Sequence, residues 1–250
     1  MSRARIQRAV IALIVLAAAA LLARHAPPTT DAAPGRPPAS TSASTPAAQP
    51  QREARTSAAP QVAGAGYDYF VMALSWSPTY CLANPGEREQ CGGRGHGFIL
   101  HGLWPQYERG GGPQQCHHQR TPDAATVERA LAFMPSRRLI HHEWRAHGTC
   151  SGLDPGGYFE LSDRAFASID VPPPLQPPAA ARRMRTAELR AMLRAANPAL
   201  RDDMLNLHCA DDRLVEVRVC LDLALEPRRC GKRMRDACPQ SRPITLPGPG

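Results

Sequence analysis

Two short stretches carry residues fit for proton transfer. His141–Cys150, HHEWRAHGTC, sets three histidines, a glutamate and a cysteine in ten positions. Gly97–Gln106, GFILHGLWPQ, ends an apolar run on His101, with Gly102 and Trp104 close behind it. In the zinc-hydrolase motif two histidines stand four apart on one helix face. Here His142 and His147 stand five apart, so on a helix their rings diverge by about 140° and chelate one ion poorly. Glu143 and His147 are four apart and share a face. A carboxylate there favours the imidazolium and tunes a side chain that titrates near neutrality. Taken alone, this pair also suits a surface helix with a satisfied salt link. The second stretch tips the balance towards acid–base chemistry. Two histidines from separate segments, a carboxylate and an aromatic plate are the groups that cleave RNA without a metal. One histidine takes the proton of the ribose 2′-OH and the other protonates the leaving 5′-oxygen. A third, cationic donor stabilises the phosphorane-like transition state, and the ring stacks a base. Dependence on a 2′-OH nucleophile excludes DNA.

Elements must hold these two stretches together. Tyr67–Trp76, YDYFVMALSW, is rich in β-formers and reads as a buried strand; GFIL at 97–100 is a second one, with His101 at its end. Pro122–Met134 and Arg138–Ala146 read as helices capped by Thr121 and Ser136. Tyr158–Ile169 has helical spacing, and Thr186 caps a helix that Asn197-Pro198 stops. Leu214–Leu225 alternates, with Val215, Val217, Val219, Leu221 and Leu223 on one face and Glu216, Arg218, Cys220 and Asp222 on the other, as a half-buried strand does; MLNLHC at 204–209 is a candidate antiparallel neighbour. The expected class is α+β, a mostly antiparallel sheet flanked by helices and reinforced by disulfides.

The chain has 250 residues and a formal charge of +8, but seven arginines and two acids lie in residues 1–65. The remainder is nearly balanced, so no broad basic face for gripping duplex nucleic acid is expected. Arg3, Arg5 and Arg8 precede the uncharged apolar run Ala9–Ala23. That run is shorter than the ~20 residues of a membrane span and reads as an export signal, residues 1–26, with a short uncleaved anchor as the alternative. Residues 27–65 are rich in Pro, Ala, Ser and Thr and read as a disordered linker. A catalytic domain is expected over 66–241 and a flexible tail over 242–250. The eight cysteines, 81, 91, 116, 150, 209, 220, 230 and 238, all follow the linker. In a chain exported to the periplasm or secreted, an even count reads as four disulfides.

FILHGLWPQ and HHEWRAHGTC resemble the two active-site segments of the ribonuclease T2 family, exported endoribonucleases of low base specificity. YDYFVMALSWSPTYC at 67–81 and LVEVRVCLD at 214–222 are similar to the family's first and late strands. The resemblance covers 67 to about 239. It implies single-stranded RNA as substrate, 2′,3′-cyclic phosphate products that are later opened to 3′-phosphates, no cofactor or metal, no membrane partner beyond the signal, and a monomer. Carried over, His101 would be the general acid and His147 the general base. Glu143 would support the charged transition state and tune its histidine neighbour, His142 would bind phosphate, and Trp104 would stack a base. Gln106 stands where many members carry an acid that selects the base. Ala146 stands where the family often has lysine, and Arg145 is the candidate substitute. The resemblance also implies the pairs Cys116–Cys150, Cys209–Cys238 and Cys220–Cys230, leaving Cys81–Cys91. Two rivals remain: a catalytically weak or inactive RNA-binding member of the same fold, and a zinc-dependent hydrolase using His117, His118, His141 or His142.

Overall fold

The computed structural model describes residues 66–117, 120–177 and 180–248. The expected signal and linker, and His118, lie outside the described residues. In a six-stranded sheet, β1, Tyr69–Trp76, lies next to the edge formed by β2, Phe98–Gln106. It pairs antiparallel with β2 on one side and with β5, Arg213–Leu221, on the other. All eight β1 residues are buried, which explains why its sequence does not alternate. Phe70, Met72, Leu74 and Trp76 face the main core under the helices, whereas Tyr69 and Val71 pack with Cys220 on the opposite face.

The helices follow in chain order. They are α1 (Ser77–Ala83), α2 (Arg88–Cys91), α3 (Ala124–Ala130), α4 (Arg137–Ala146), α5 (Pro155–Ala167) and α6 (Thr186–Ala196). Ser136 caps α4 by accepting from Leu139 N, as expected. Asp123, not Thr121, caps α3, because its carboxylate accepts from Thr126 N at 2.7 Å; that helix closes at Ala130, short of Met134. Thr186 lies inside α6 instead of capping it, and Glu188 reaches back to Arg185 N at 3.0 Å.

Strand β4, Leu205–Ala210, pairs antiparallel with β5. Strand β5 ends at Leu221, short of Leu225, because the Asp222 carboxylate accepts from Ala224 N and Glu226 N and turns the chain. The expected tail is a correction. Residues 242–248 carry a strand, β6 (Ile244–Leu246), which lies between β5 and β3 (Arg182–Met184). Ile244 and Leu246 are fully buried, so this segment completes the core. The class is the expected α+β, with all strand pairs antiparallel except the short β5–β6 contact. The disulfides are Cys81–Cys91, Cys116–Cys150, Cys209–Cys238 and Cys220–Cys230. Among the described residues no helix is long and apolar enough to cross a membrane.

Candidate active site

His101 lies inside β2, not at its end. The pairing of β1 with β2 runs Ala73 to Gly102 and then Leu74 to Leu100, so His101 has no partner across the ladder. Such a one-residue slip re-aims a side chain, and it is over-represented beside reactive sites. Opposite, β1 pairs Ala73 with Arg218 and Ser75 with Glu216. Both β1 residues are small. The side chains of His101 from β2 and of Glu216 from β5 therefore meet across them. His101 Nδ1 lies 2.5 Å from Glu216 Oε1, and Arg218 holds Oε2 of the same carboxylate through Nε at 2.8 Å and Nη2 at 2.7 Å.

The helix α4 brings the second half. It buries Ile140, Glu143 and Trp144. Trp144 belongs to the core, as Trp76 does, and its Nε1–H donates to Arg120 O at 2.8 Å. Glu143 is 1 % exposed. Its Oε2 accepts from Trp104 Nε1 at 2.8 Å, and its Oε1 lies 3.5 Å from His101 Nε2 and 3.9 Å from His142 Nε2. Glycine after His101 lets Glu143 reach Trp104, since a Cβ on Gly102 would sit 2.0 Å from Glu143 Oε2 and 2.4 Å from Trp104 Nε1.

His147 is the helix C-cap, with φ −130° and ψ −44°. This corrects the expected Glu143–His147 side-chain pair. The two residues share a backbone hydrogen bond of 2.9 Å, but His147 has left helical geometry and the Glu143 carboxylate faces His101 and His142 instead. The turn after His147 needs Gly148, where a Cβ would come within 2.4 Å of the Trp144 ring. A single 3-10 turn, Gly148–Cys150, then leads to the Cys116–Cys150 disulfide, and Gln115 N donates to Ala146 O at 2.9 Å. The loop after β2 is thereby tied to the end of α4. His147 lies beside Trp104, ring centroids 5.3 Å apart, and Trp104 lies equally far from His101. Both imidazoles thus pack against the same indole.

The electrostatics separate the histidines. Burial pushes His147 down to about 4, helped by the nearby charges of His101 and His142, so it is neutral at physiological pH. Burial acts the same way on His101, but the Glu216 hydrogen bond and the charges of Glu143 and Glu216 outweigh it and raise its pKa. Burial pushes Glu143 up to about 7. His142 is held below its ordinary value by burial and by the charges of His101, Arg145 and Arg138. One imidazole is poised to accept a proton and another to give one.

The structure thus brings His101, Trp104, His142, Glu143 and His147 together. Gln106 stands two residues beyond Trp104 at the end of β2, with its Nε2 on Pro105 O. Arg145 is exposed at the rim, where with His142 it lines two clefts. One, of 410 Å³, runs past Ser75, Tyr80, His101 and Leu139. The other, of 470 Å³, runs past Gln115, His117, Ala146 and Thr149. Above the Trp104 ring, the Arg218 guanidinium lies 5.2 Å from its centroid. Arg228 and Arg229, near the Cys220–Cys230 disulfide, are ion-paired with Glu108 and Asp203. Among the described residues no group of three His, Cys, Asp or Glu side chains is placed to hold a metal ion. Sequence reasoning missed Glu216 and Arg218. They fell on the face of β5 taken as the polar one, and the one available signal was a glutamate and an arginine set among the valines and leucines of that strand.

A profile of the Ribonuclease T2 family matches residues 67–230. A ribonuclease of Aeromonas hydrophila is 49 % identical over 96 residues, 38 % of this chain and 43 % of that protein. Intracellular ribonuclease LX of Solanum lycopersicum is 30 % identical over 113 residues, 38 % of this chain and 46 % of that protein. The chain spans about half the length of the curated relatives it matches. Among solved structures, a ribonuclease-related protein from Calystegia sepium covers 74 % of this chain and 98 % of its own, with TM-score 0.60 and 23 % identity. A variant of ribonuclease MC1 solved with 5′-GMP covers 69 % of this chain and 97 % of its own, with TM-score 0.55 and 25 % identity.

Proposed function

The chain belongs to the ribonuclease T2 family, and from that premise we propose that it is an endoribonuclease of low base specificity. It cleaves single-stranded RNA by metal-independent transphosphorylation. The observation that carries the reading is the opposite bias of two histidines that both pack on Trp104, His101 shifted towards its protonated form and His147 towards its neutral one. His147 takes the proton of the 2′-OH as that oxygen attacks phosphorus. The bond from phosphorus to the 5′-oxygen breaks, and His101 gives that oxygen its proton. The products are a 2′,3′-cyclic phosphate and a free 5′-OH. In the slower second step the roles reverse: His101 activates water, His147 protonates the 2′-oxygen, and a 3′-phosphate results.

Glu143 is suited to donate as well as accept. With its pKa near 7, its protonated form gives a hydrogen bond to a phosphoryl oxygen without repelling it. His142, more exposed, meets the phosphate from the cleft side, and Arg145 supplies positive charge at the rim. Trp104 fixes Glu143 through its N–H and offers a base the part of its ring that Arg218 leaves open. Gln106 both donates and accepts, which suits weak base preference. A ribonucleotide bound to ribonuclease MC1 supports RNA as the substrate class. Residues 1–26 serve as the export signal, residues 27–65 are a linker ahead of the catalytic domain, and the domain acts as a monomer in the periplasm or outside the cell.

The test compares an oligoribonucleotide with one carrying a single 2′-deoxy sugar at the scissile position, both in excess EDTA. The first is cut and the second survives; cleavage of the deoxy substrate, or full dependence on a restored metal, contradicts the proposal. One observation favours a second reading. Ala146 lines the second cleft at the position where the family often carries a lysine, and loss of a transition-state donor costs on the order of 10²-fold in rate. A member that binds RNA without turning it over would show no cleavage above a His101→Ala, His147→Ala double variant while still retaining RNA.

A further inference from the structure

Glu216 is a carboxylate in the middle of a sheet, 4 % exposed. A buried carboxylate without partners takes up a proton. Here burial is outweighed by His101 and by Arg218, and the pKa lies below the ordinary value. The other carboxyl at His101, Glu143, is pushed the opposite way, and its 3.5 Å to Nε2 is beyond a good hydrogen bond. Near neutral pH Glu143 is therefore the carboxyl that takes a proton, and Glu216 the one that stays charged. The 2.5 Å contact at Nδ1 also decides which ring proton can leave. With Nδ1–H held by Glu216, the ring cannot flip, and Nε2 is turned towards Glu143, His142 and the cleft.

We propose that Glu216, anchored by Arg218, is the positioning residue of the proton donor: it fixes the tautomer and orientation of His101 and keeps that ring charged until the 5′-oxygen leaves. The inference rests on the reading of His101 as the donor. The groups facing His101 are Glu216 and Arg218 from β5, Glu143 and His142 from α4, and His147 just beyond that helix. Only Glu216 is both ionised and directly bonded to the ring. Small residues at 73 and 75 are part of the device, since a large side chain on β1 there would come between the side chains of His101 and Glu216.

The experiment uses the full chain with its disulfides formed, in wild-type form and as Glu216→Gln. Histidine ring resonances are followed by NMR against pH, and kcat/KM on an oligoribonucleotide is measured over the same range. In Glu216→Gln the His101 titration moves to lower pH, the alkaline fall of kcat/KM moves with it, and activity at pH 8 drops by about tenfold or more, whereas activity at pH 5 drops less. A Glu216→Gln protein that folds with both the titration and the alkaline limb unmoved overturns the inference. Should that variant fail to fold, nitrogen shifts of wild-type His101 decide the matter: neutral His101 keeps its proton on Nδ1, and a neutral ring protonated on Nε2 overturns the proposal. Failure of the wild type to cleave RNA would refute the functional reading alone, because the His101 titration and tautomer are read without turnover.

Discussion

Adding one methyl group at Gly102 tests how closely the two halves of the site are fitted. In Gly102→Ala the new Cβ would lie 2.0 Å from Glu143 Oε2 and 2.4 Å from Trp104 Nε1, both well inside contact distance. Those two atoms are hydrogen-bonded to each other at 2.8 Å. The methyl has to part them, and the Glu143 side chain, already buried, moves as a whole. That hydrogen bond contributes ~1.5–3 kcal/mol to stability, and the displaced Glu143 is lost as a transition-state donor, which lowers kcat/KM on the order of 10²-fold. The strain is taken up by the ends of two side chains, so the cost to stability stays at the ~1–3 kcal/mol typical of overpacking. Cleavage of a fluorogenic oligoribonucleotide is read beside a thermal melt. A folded Gly102→Ala protein with kcat/KM within about twofold of wild type would refute the argument that Gly102 exists to let Glu143 reach Trp104.

Three further expectations concern pH, the disulfide and the missing cation. Because His147 is depressed to about 4 and must be neutral to act as base, kcat/KM rises with pH through about 4 and is already near its plateau at pH 6; because His101 is raised and must be protonated, the fall lies above the ordinary histidine range, with Glu143 titrating in the same coupled system. An acid limb centred near 6.5 in a pH–rate profile would contradict the base assignment. Replacing Cys116 and Cys150 together by serine opens a 34-residue loop, costing ~3–4 kcal/mol in the chain-entropy model, and loosens the turn that holds His147; calorimetry and kcat should fall together. Ala146→Lys places a cation in the second cleft and should raise kcat by up to ~10²-fold; no gain in steady-state kinetics would mean that Arg145 or another group already supplies that charge.

How much of this was legible in the sequence follows from the reach of each interaction. The strand at 69–76 and the helix at 137–146 are written in local apolar patterns, and both formed where those patterns placed them. The two histidine segments stood out because short-range chemistry is dense in them. What the chain conceals is long-range. Glu216 lies 115 residues from His101 and reaches it only because β1 intervenes with alanine and serine. The alternation of β5 identified its two faces from Glu216 to Leu221, but not the register slip that leaves Val215 out of the core and puts Leu214 in it, nor that the charged face is covered. The pairing of Glu143 with His147 failed for a local reason: Gly148 and the Cys116–Cys150 link draw the chain off the helix one residue before the fourth position. The strand at 244–246 is three residues long, too short to show a period, and it is defined by the gap between β5 and β3 that it fills.

The central claim is that two histidines, biased in opposite senses and both packed on Trp104, cleave RNA through its own 2′-oxygen. Phosphorus NMR tests it most directly, with the full chain, oxidised, incubated with RNA in excess EDTA beside His101→Ala and His147→Ala. The account predicts a 2′,3′-cyclic phosphate signal from the wild type and none above background from either variant. A cyclic phosphate that still accumulates at the wild-type rate in either variant, or its absence from the wild type, would contradict it.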